Sequence, residues 1–275
     1  MSALTRYLRG SMAFRVRDTG PPDGEPIVLL HGFPETSAAW SRTAPLLNAD
    51  GYRTLAPDLR GYSPGARPKG RRHYRLDTMT GDVTALLDAA GLTDAHVVGH
   101  DWGGALAWEL AAKQPARVRT LTVISTPHPA AMSWAMRHST QALKSAYMGF
   151  FNIPRVPEFL LRKGLRRVGL RSLGIDDELA GQYVETLLEP GGLEGALGWY
   201  RAIPTRPRPR SARIIVPTTY LWGRRDKYLG RAAAERTGDY CDGDYRFVEI
   251  DADHWIPEKN PKQAAEAILT RCRSR

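Results

Sequence analysis

Ala95-His96-Val97-Val98-Gly99-His100-Asp101-Trp102-Gly103-Gly104 carries an apolar segment into a glycine-flanked acid, and Gly104–Gln114 continues it as alanine-rich helical sequence ended by Pro115. The apolar run reads as a strand buried on both faces, and the glycines permit a turn too sharp for a Cβ. Strand, turn and helix in that order place Asp101 at the carboxyl end of a strand and the amino end of a helix. Ligands of open sheets bind at that edge, and the free amides of the helix favour an anion there. The plain reading of Asp101 is a helix N-cap. The chemical reading is a nucleophile presented on a G-x-Nuc-x-G turn.

Outward from this turn, strand and helix signals alternate. Ala13–Arg17, Pro26–Leu30 (PIVLL), Arg53–Ala56 and Val118–Ser125 read as strands, and Ser37–Leu47 and Thr78–Ala90 as helices. That rhythm predicts an α/β fold with a mostly parallel, doubly wound sheet. It breaks near Pro127. From Pro129 to Arg210 the sequence has helical segments and Pro/Gly breaks but no convincing buried strand. It resumes at Ile214–Trp222 and Tyr245–Ile250 and closes with a helix over Pro261–Arg273. The expected organisation is a core of residues 1–128 and 211–275 interrupted by a helical cap of residues 129–210. Arg206-Pro207-Arg208-Pro209-Arg210 is the expected stiff return to the core.

Composition sets broad limits. The 275 residues are 42% hydrophobic and 25% charged, enough for a sizeable unstapled core. No run approaches the roughly 20 apolar residues of a membrane span. The first residues lack an apolar signal segment, and Cys241 and Cys272 have neither metal-site nor disulfide-framework spacing, so a cytoplasmic location is expected. The net charge of +10 is spread along the chain; residues 129–210 carry 12 basic and 7 acidic side chains. No nucleic-acid-binding motif accompanies it, so nucleic acid is not an expected partner. Phe159–Leu173 interleaves Leu161, Leu165 and Val168 with Arg162, Lys163, Arg166 and Arg167, but Gly164 and Gly169 weaken it as an independent surface helix. A solvated helix face without stable membrane association is expected. Oligomeric state is not legible.

Two downstream features favour the chemical reading of Asp101. Tyr220-Leu221-Trp222-Gly223-Arg224-Arg225-Asp226 is a strand running into a loop with an acid, and Asp251-Ala252-Asp253-His254-Trp255 is a strand end followed by a histidine. The order nucleophile, acid, histidine is that of α/β-hydrolases. Asp226 is the expected partner of His254, since Asp251 and Asp253 sit too close to it in sequence. Gly61-Tyr62-Ser63-Pro64-Gly65 matches a serine elbow literally. However, Pro64 has no N–H to serve an oxyanion hole and no helix follows. His31-Gly32-Phe33-Pro34 follows the PIVLL strand, where this fold supplies its second oxyanion donor. Phe33 and Trp102 N–H groups are therefore the expected pair, and a cis bond before Pro34 is compatible with the tight turn.

These pieces, with Asp58-Leu59-Arg60-Gly61-Tyr62, resemble the epoxide hydrolase branch of the α/β-hydrolases over residues 25 to 265. The resemblance implies epoxide opening to a vicinal diol through an alkyl ester on Asp101, hydrolysed by water that His254 activates. It implies two cap tyrosines that hydrogen-bond the epoxide oxygen. Tyr200 in Trp199-Tyr200-Arg201 and Tyr147 in Tyr147-Met148-Gly149-Phe150-Phe151 resemble that pair, with Tyr183 in reserve; Ala146 stands where the family often has a short polar residue. His31, Pro34, Trp102 and Trp255 are expected to line the pocket. Epoxide and water are the expected partners, with neither metal nor organic cofactor.

A carboxylate suits this reaction because it is ionised at neutral pH and attacks a saturated carbon directly. The nearest rival is a haloalkane dehalogenase with the same ester chemistry. Such enzymes commonly carry Asn where this chain has Phe33 and need no paired tyrosines. An inactive binding module on the same scaffold is the remoter alternative.

Overall fold

A computed structural model describes residues 3–205 and 213–274. β1 (Arg6–Arg9) and β2 (Met12–Thr19) form a hairpin, followed by β3 (Pro26–Leu30), α1 (Ala44–Ala49), β4 (Arg53–Pro57), α2 (Leu76–Ala89), β5 (Ala95–His100), α3 (Trp102–Lys113) and β6 (Val118–Ile124). Next come α4 (Pro129–His138), α5 (Gln141–Lys144), α6 (Tyr147–Phe151), α7 (Val156–Val168), α8 (Asp177–Leu188) and α9 (Gly192–Ala202). β7 (Thr218–Gly223), α10 (Arg231–Arg236), β8 (Tyr245–Ile250), α11 (Ile256–Lys259) and α12 (Pro261–Arg273) complete the chain. The strands form one eight-stranded sheet in the order β1-β2-β4-β3-β5-β6-β7-β8. β2 is antiparallel to β1 and β4; the remaining neighbours are parallel.

The parallel strands are apolar because both faces are covered. In β3, Ile27 and Leu29 enter one core layer while Val28 and Leu30 enter the other. β3 pairs with β4 on one side and β5 on the other, so the winding direction reverses between β3 and β5. That reversal opens a crevice at the strands' carboxyl ends. His31–Pro34 leaves β3 and Asp101 leaves β5 at this point.

Three local differences from the sequence expectations have physical causes. Ser37–Leu47 is not one helix: a 3₁₀ turn spans Ser37–Trp40, capped by Thr36, and α1 begins at Ala44. Pro45 is tolerated only in a first helical turn, which fixes that restart. β7 begins at Thr218 rather than Ile214, which makes only an isolated bridge to Cys241, since Pro217 interrupts the ladder. β1 is short and half charged (RYLR), typical of an edge strand and weak as a strand signal.

Among the described residues between β6 and β7 there is no strand. This helical insertion is anchored to the segment that follows β4 by polar contacts. Trp199 Nε1 donates to Arg60 O at 2.8 Å, and the Arg67 guanidinium donates to Glu189 and to the carbonyl of Pro190. Arg60 is itself buried against Asp82. The expected return at Arg206–Arg210 lies outside the described residues.

Candidate active site

Asp101 occupies a conformation that side chains rarely adopt, with φ 49° and ψ −119°. Such strain persists only where the surroundings enforce it. Here a Cβ on Gly103 would lie 2.2 Å from the Leu30 carbonyl oxygen, and one on Gly32 would lie 2.4 Å from the Asp101 Cβ. The turn therefore packs backbone on backbone. The Asp101 side chain makes no capping bond to α3, so it is not an ordinary N-cap. Instead Oδ1 accepts the Phe33 N–H at 2.9 Å, and Oδ2 lies 3.6 Å from His254 Nε2.

His254 follows β8 and Asp226 follows β7, and the loops bring them together. His254 Nδ1 is 2.7 Å from Asp226 Oδ2, while Asp226 Oδ1 accepts the Tyr228 and Leu229 amides at 2.7 and 2.9 Å. The other two acids are engaged elsewhere: Asp251 with Arg224 and Arg225, and Asp253 with Lys259 and the Trp255 amide. Burial pushes His254 toward its neutral form, but Asp226 and Asp101 outweigh it and hold the imidazole well above its usual pKa. Burial likewise opposes ionisation of Asp101, and the imidazole of His254 overcomes it, leaving the carboxyl below its usual value.

A cavity of about 280 Å³ opens over Asp101 and His254. Its walls include Phe33, Pro34, Phe151, Trp255 and six leucines contributed by residues 161–193. Tyr147, Tyr200 and Tyr228 are the other polar side chains lining it. Burial raises the pKa of both Tyr147 and Tyr200, and a hydrogen bond from Tyr200 acts in the opposite sense on Tyr147. Both phenols thus stay protonated beside the carboxylate. Tyr183 is elsewhere: it is buried and donates to Glu258 Oε1 at 3.1 Å.

Two expected lining residues are corrected. His31 is fully buried and absent from the wall; its Nε2 accepts the Leu59 N–H and its Nδ1 lies 2.9 Å from Gly32 O, so it braces the loop. Trp102 is also off the wall, with its ring edge-on to Tyr200 at 5.0 Å and a side-chain hydrogen bond to that phenol. Both flank the reacting turn in sequence, but neither side chain is among those lining the cavity; Trp102 sits directly behind the Tyr200 wall. Ser63 is buried, donating to Asp58 O and accepting the Arg15 amide, which makes it part of the scaffold.

A family model described as alpha/beta hydrolase fold matches residues 25–261. The chain belongs to the α/β-hydrolase family. It is 35% identical to the AB hydrolase superfamily protein YfhM of Bacillus subtilis, over 94% of this chain and 93% of that one. It is 30% identical to Epoxide hydrolase A of Mycobacterium tuberculosis, over 98% and 97% of the two chains. The crystal structure of Epoxide Hydrolase A from Mycobacterium thermoresistibile superposes with a TM-score of 0.85 at 25% identity, covering 99% of each chain.

This hydrolase also holds a buried polar cluster behind the site that sequence reading missed. Glu35 Oε2 accepts the Gly32 N–H at 2.7 Å and its Oε1 lies 2.8 Å from His100 Nδ1. His100 Nε2 donates to the His254 carbonyl at 2.9 Å, where Ser125 Oγ also donates. The cluster thereby links the loop presenting Phe33 to the loop presenting His254. Burial favours neutral His100, but Glu35 reverses this and raises its pKa. Glu258 is pushed up to about 8 by burial and by the nearby Glu35 charge. A histidine inside the apolar AHVVGH strand is the one sequence signal of this cluster. Tyr228 was missed because an exposed-looking loop hides that its ring packs on His254 at 5.1 Å.

Proposed function

We propose that this chain is an epoxide hydrolase that opens its substrate through an alkyl ester on Asp101. The observation that carries the reading is the cavity itself: a carboxylate with a His–Asp pair behind it and two tyrosines at the same apolar wall, Tyr200 buried and Tyr147 half-buried. Relatives named epoxide hydrolase support the same choice of substrate.

Asp101 Oδ1 is held by Phe33 N–H, which leaves Oδ2 to attack a ring carbon. The carbon–oxygen bond of the strained ring breaks, and the departing oxygen takes a proton from Tyr147 or Tyr200. Esterification removes the Asp101 charge beside His254, so its pKa falls; its proton passes to the tyrosinate left by ring opening, and the neutral imidazole is the base for the second step. It then takes a proton from water, which attacks Asp101 Cγ. Negative charge develops on Oδ1, where Phe33 N–H and the first amide of α3, Trp102 N–H, are the proposed donors. Collapse expels the diol, whose oxygen takes the proton from His254, and the new Asp101 carboxyl passes its own proton to the imidazole, restoring the carboxylate–imidazolium pair. The insertion of residues 129–210 acts as the cap that supplies both tyrosines.

A single turnover in ¹⁸O-water tests this route. The diol should emerge unlabelled, with the label in the Asp101 carboxylate. Label in the diol would mean direct attack by water, and halide release from chloroalkanes without diol formation from epoxides would overturn the substrate choice.

A further inference from the structure

The insertion carries an exposed apolar patch with a basic border. Ile153, Val156, Phe159 and Leu160 are exposed, Phe159 by 68%. Val156, Phe159, Leu160 and Lys163 are spaced i, i+3, i+4 and i+7 on α7 and so share one face. Arg155, Lys163, Arg166 and Arg167 are exposed around it, and none has an ion-pair partner among the described residues. Residues 153–173 hold six basic side chains and one acid, Glu158. That acid is bound by Arg201 through two bonds of 2.6 and 2.9 Å, so it does not offset the outer positive charge.

The opposite face of the same helix is committed inward: Leu161 and Leu165 line the cavity over Asp101. The leucines that make α7 amphipathic in sequence are therefore not the exposed ones. Phe159 and Leu160 form a second apolar surface, which the protein's own packing does not require.

We propose that the outer face of α7 is a reversible docking surface for an anionic lipid bilayer. Helices that lie on membranes combine large apolar side chains with Lys and Arg, so that apolar groups enter the acyl boundary while cations meet the headgroups. The charge complementarity selects anionic lipid, and the uncharged cluster of Phe159, Leu160, Val156 and Ile153 favours a bilayer over nucleic acid. No described helix is long and apolar enough to cross a membrane. Docking through α7 would set a wall of the cavity against the phase in which apolar molecules dissolve.

Co-sedimentation of the full chain with phosphatidylcholine vesicles, and with vesicles in which phosphatidylglycerol replaces part of that lipid, tests the surface. Binding is expected only to the anionic vesicles and should fall steeply with added salt. The triple variant Lys163→Gln/Arg166→Gln/Arg167→Gln should bind roughly a hundredfold more weakly, taking each lost cation at its usual surface contribution. Phe159→Ser/Leu160→Ser should also weaken binding, with an unchanged melting temperature because both side chains are exposed. Absence of binding to anionic vesicles, equal binding to neutral ones, unaltered binding by either variant, or retention of single-stranded RNA in place of vesicles would overturn the proposal. The assay needs no substrate, so its failure leaves the proposed chemistry untouched.

Discussion

His254 Nε2 stands 3.6 Å from Asp101 Oδ2, so the group proposed to act as base in the second step is the counter-ion of the group proposed to react in the first. Each holds the other charged: the imidazole pKa is raised and the carboxyl pKa lowered. Stability from the raised histidine is present below its unfolded value and lost as pH rises through its folded value. Stability from the lowered aspartate is present above its unfolded value and lost as pH falls through its folded one. The pair therefore contributes between those limits. Asp101→Asn should lower the His254 pKa, readable by NMR of the imidazole, with every tenfold change in its proton affinity worth about 1.4 kcal/mol. The melting-temperature deficit of the variant should shrink at alkaline pH; a deficit independent of pH would show that the two groups are not coupled.

Asp226 fixes the histidine through Nδ1, and its second oxygen is occupied by two amides. Asp226→Asn should preserve that loop but present the wrong hydrogen-bonding partner to the imidazole. Turnover should fall roughly 10³–10⁴-fold, by analogy with other acid–histidine pairs. Rapid-quench kinetics should show ester accumulating, because hydrolysis suffers more than alkylation. Equal slowing of both steps would contradict that assignment of roles.

The tyrosines act on the other half of the reaction. Tyr147→Phe and Tyr200→Phe should each slow ester formation by roughly ten- to a hundredfold, less than a full general-acid contribution because one donor remains. The double variant should lose far more. Tyr183→Phe should leave ester formation unchanged, since its hydroxyl is turned to Glu258. Pre-steady-state alkylation rates check all four.

Glu258 is raised to about 8 by burial and the Glu35 charge. A carboxyl whose pKa rises on folding stabilises the fold below its unfolded value, and that contribution is lost as pH climbs through the folded value. Glu258→Gln still accepts from Tyr183 and avoids the loss. Its melting temperature should exceed that of the wild type by a margin that grows from pH 5 to pH 8 and then levels, a gain on the order of a few kcal/mol. A margin that shrinks over this range would contradict the cause given for the raised pKa.

The turn at Asp101 was legible because three local constraints agree: an apolar strand, glycines where backbone touches backbone, and a helix start. Asp226 and His254 were legible from strand ends in the right order. The wall of the cavity was not. His31 and Trp102 flank the reacting turn in sequence, yet neither lines the cavity, whereas Tyr228 and the leucines between residues 161 and 193 converge only when the insertion folds over the sheet. Glu35 and His100 were invisible for a related reason: partners 65 positions apart announce nothing locally, and only burial reveals them as a pair. Leu161, Leu165 and Val168 form one apolar stripe in the sequence, but packing turns the two leucines to the cavity and leaves Val168 exposed.

The most direct test of the central claim is intact-protein and peptide mass spectrometry of His254→Ala after exposure to a reactive epoxide. The variant retains Asp101 and both tyrosines but lacks the base for hydrolysis. The expected result is a stable adduct of the intact substrate mass on the peptide containing Asp101, absent in Asp101→Asn/His254→Ala. No adduct on that peptide, from a wild-type enzyme that nevertheless forms diol, would contradict an Asp101 ester as the intermediate.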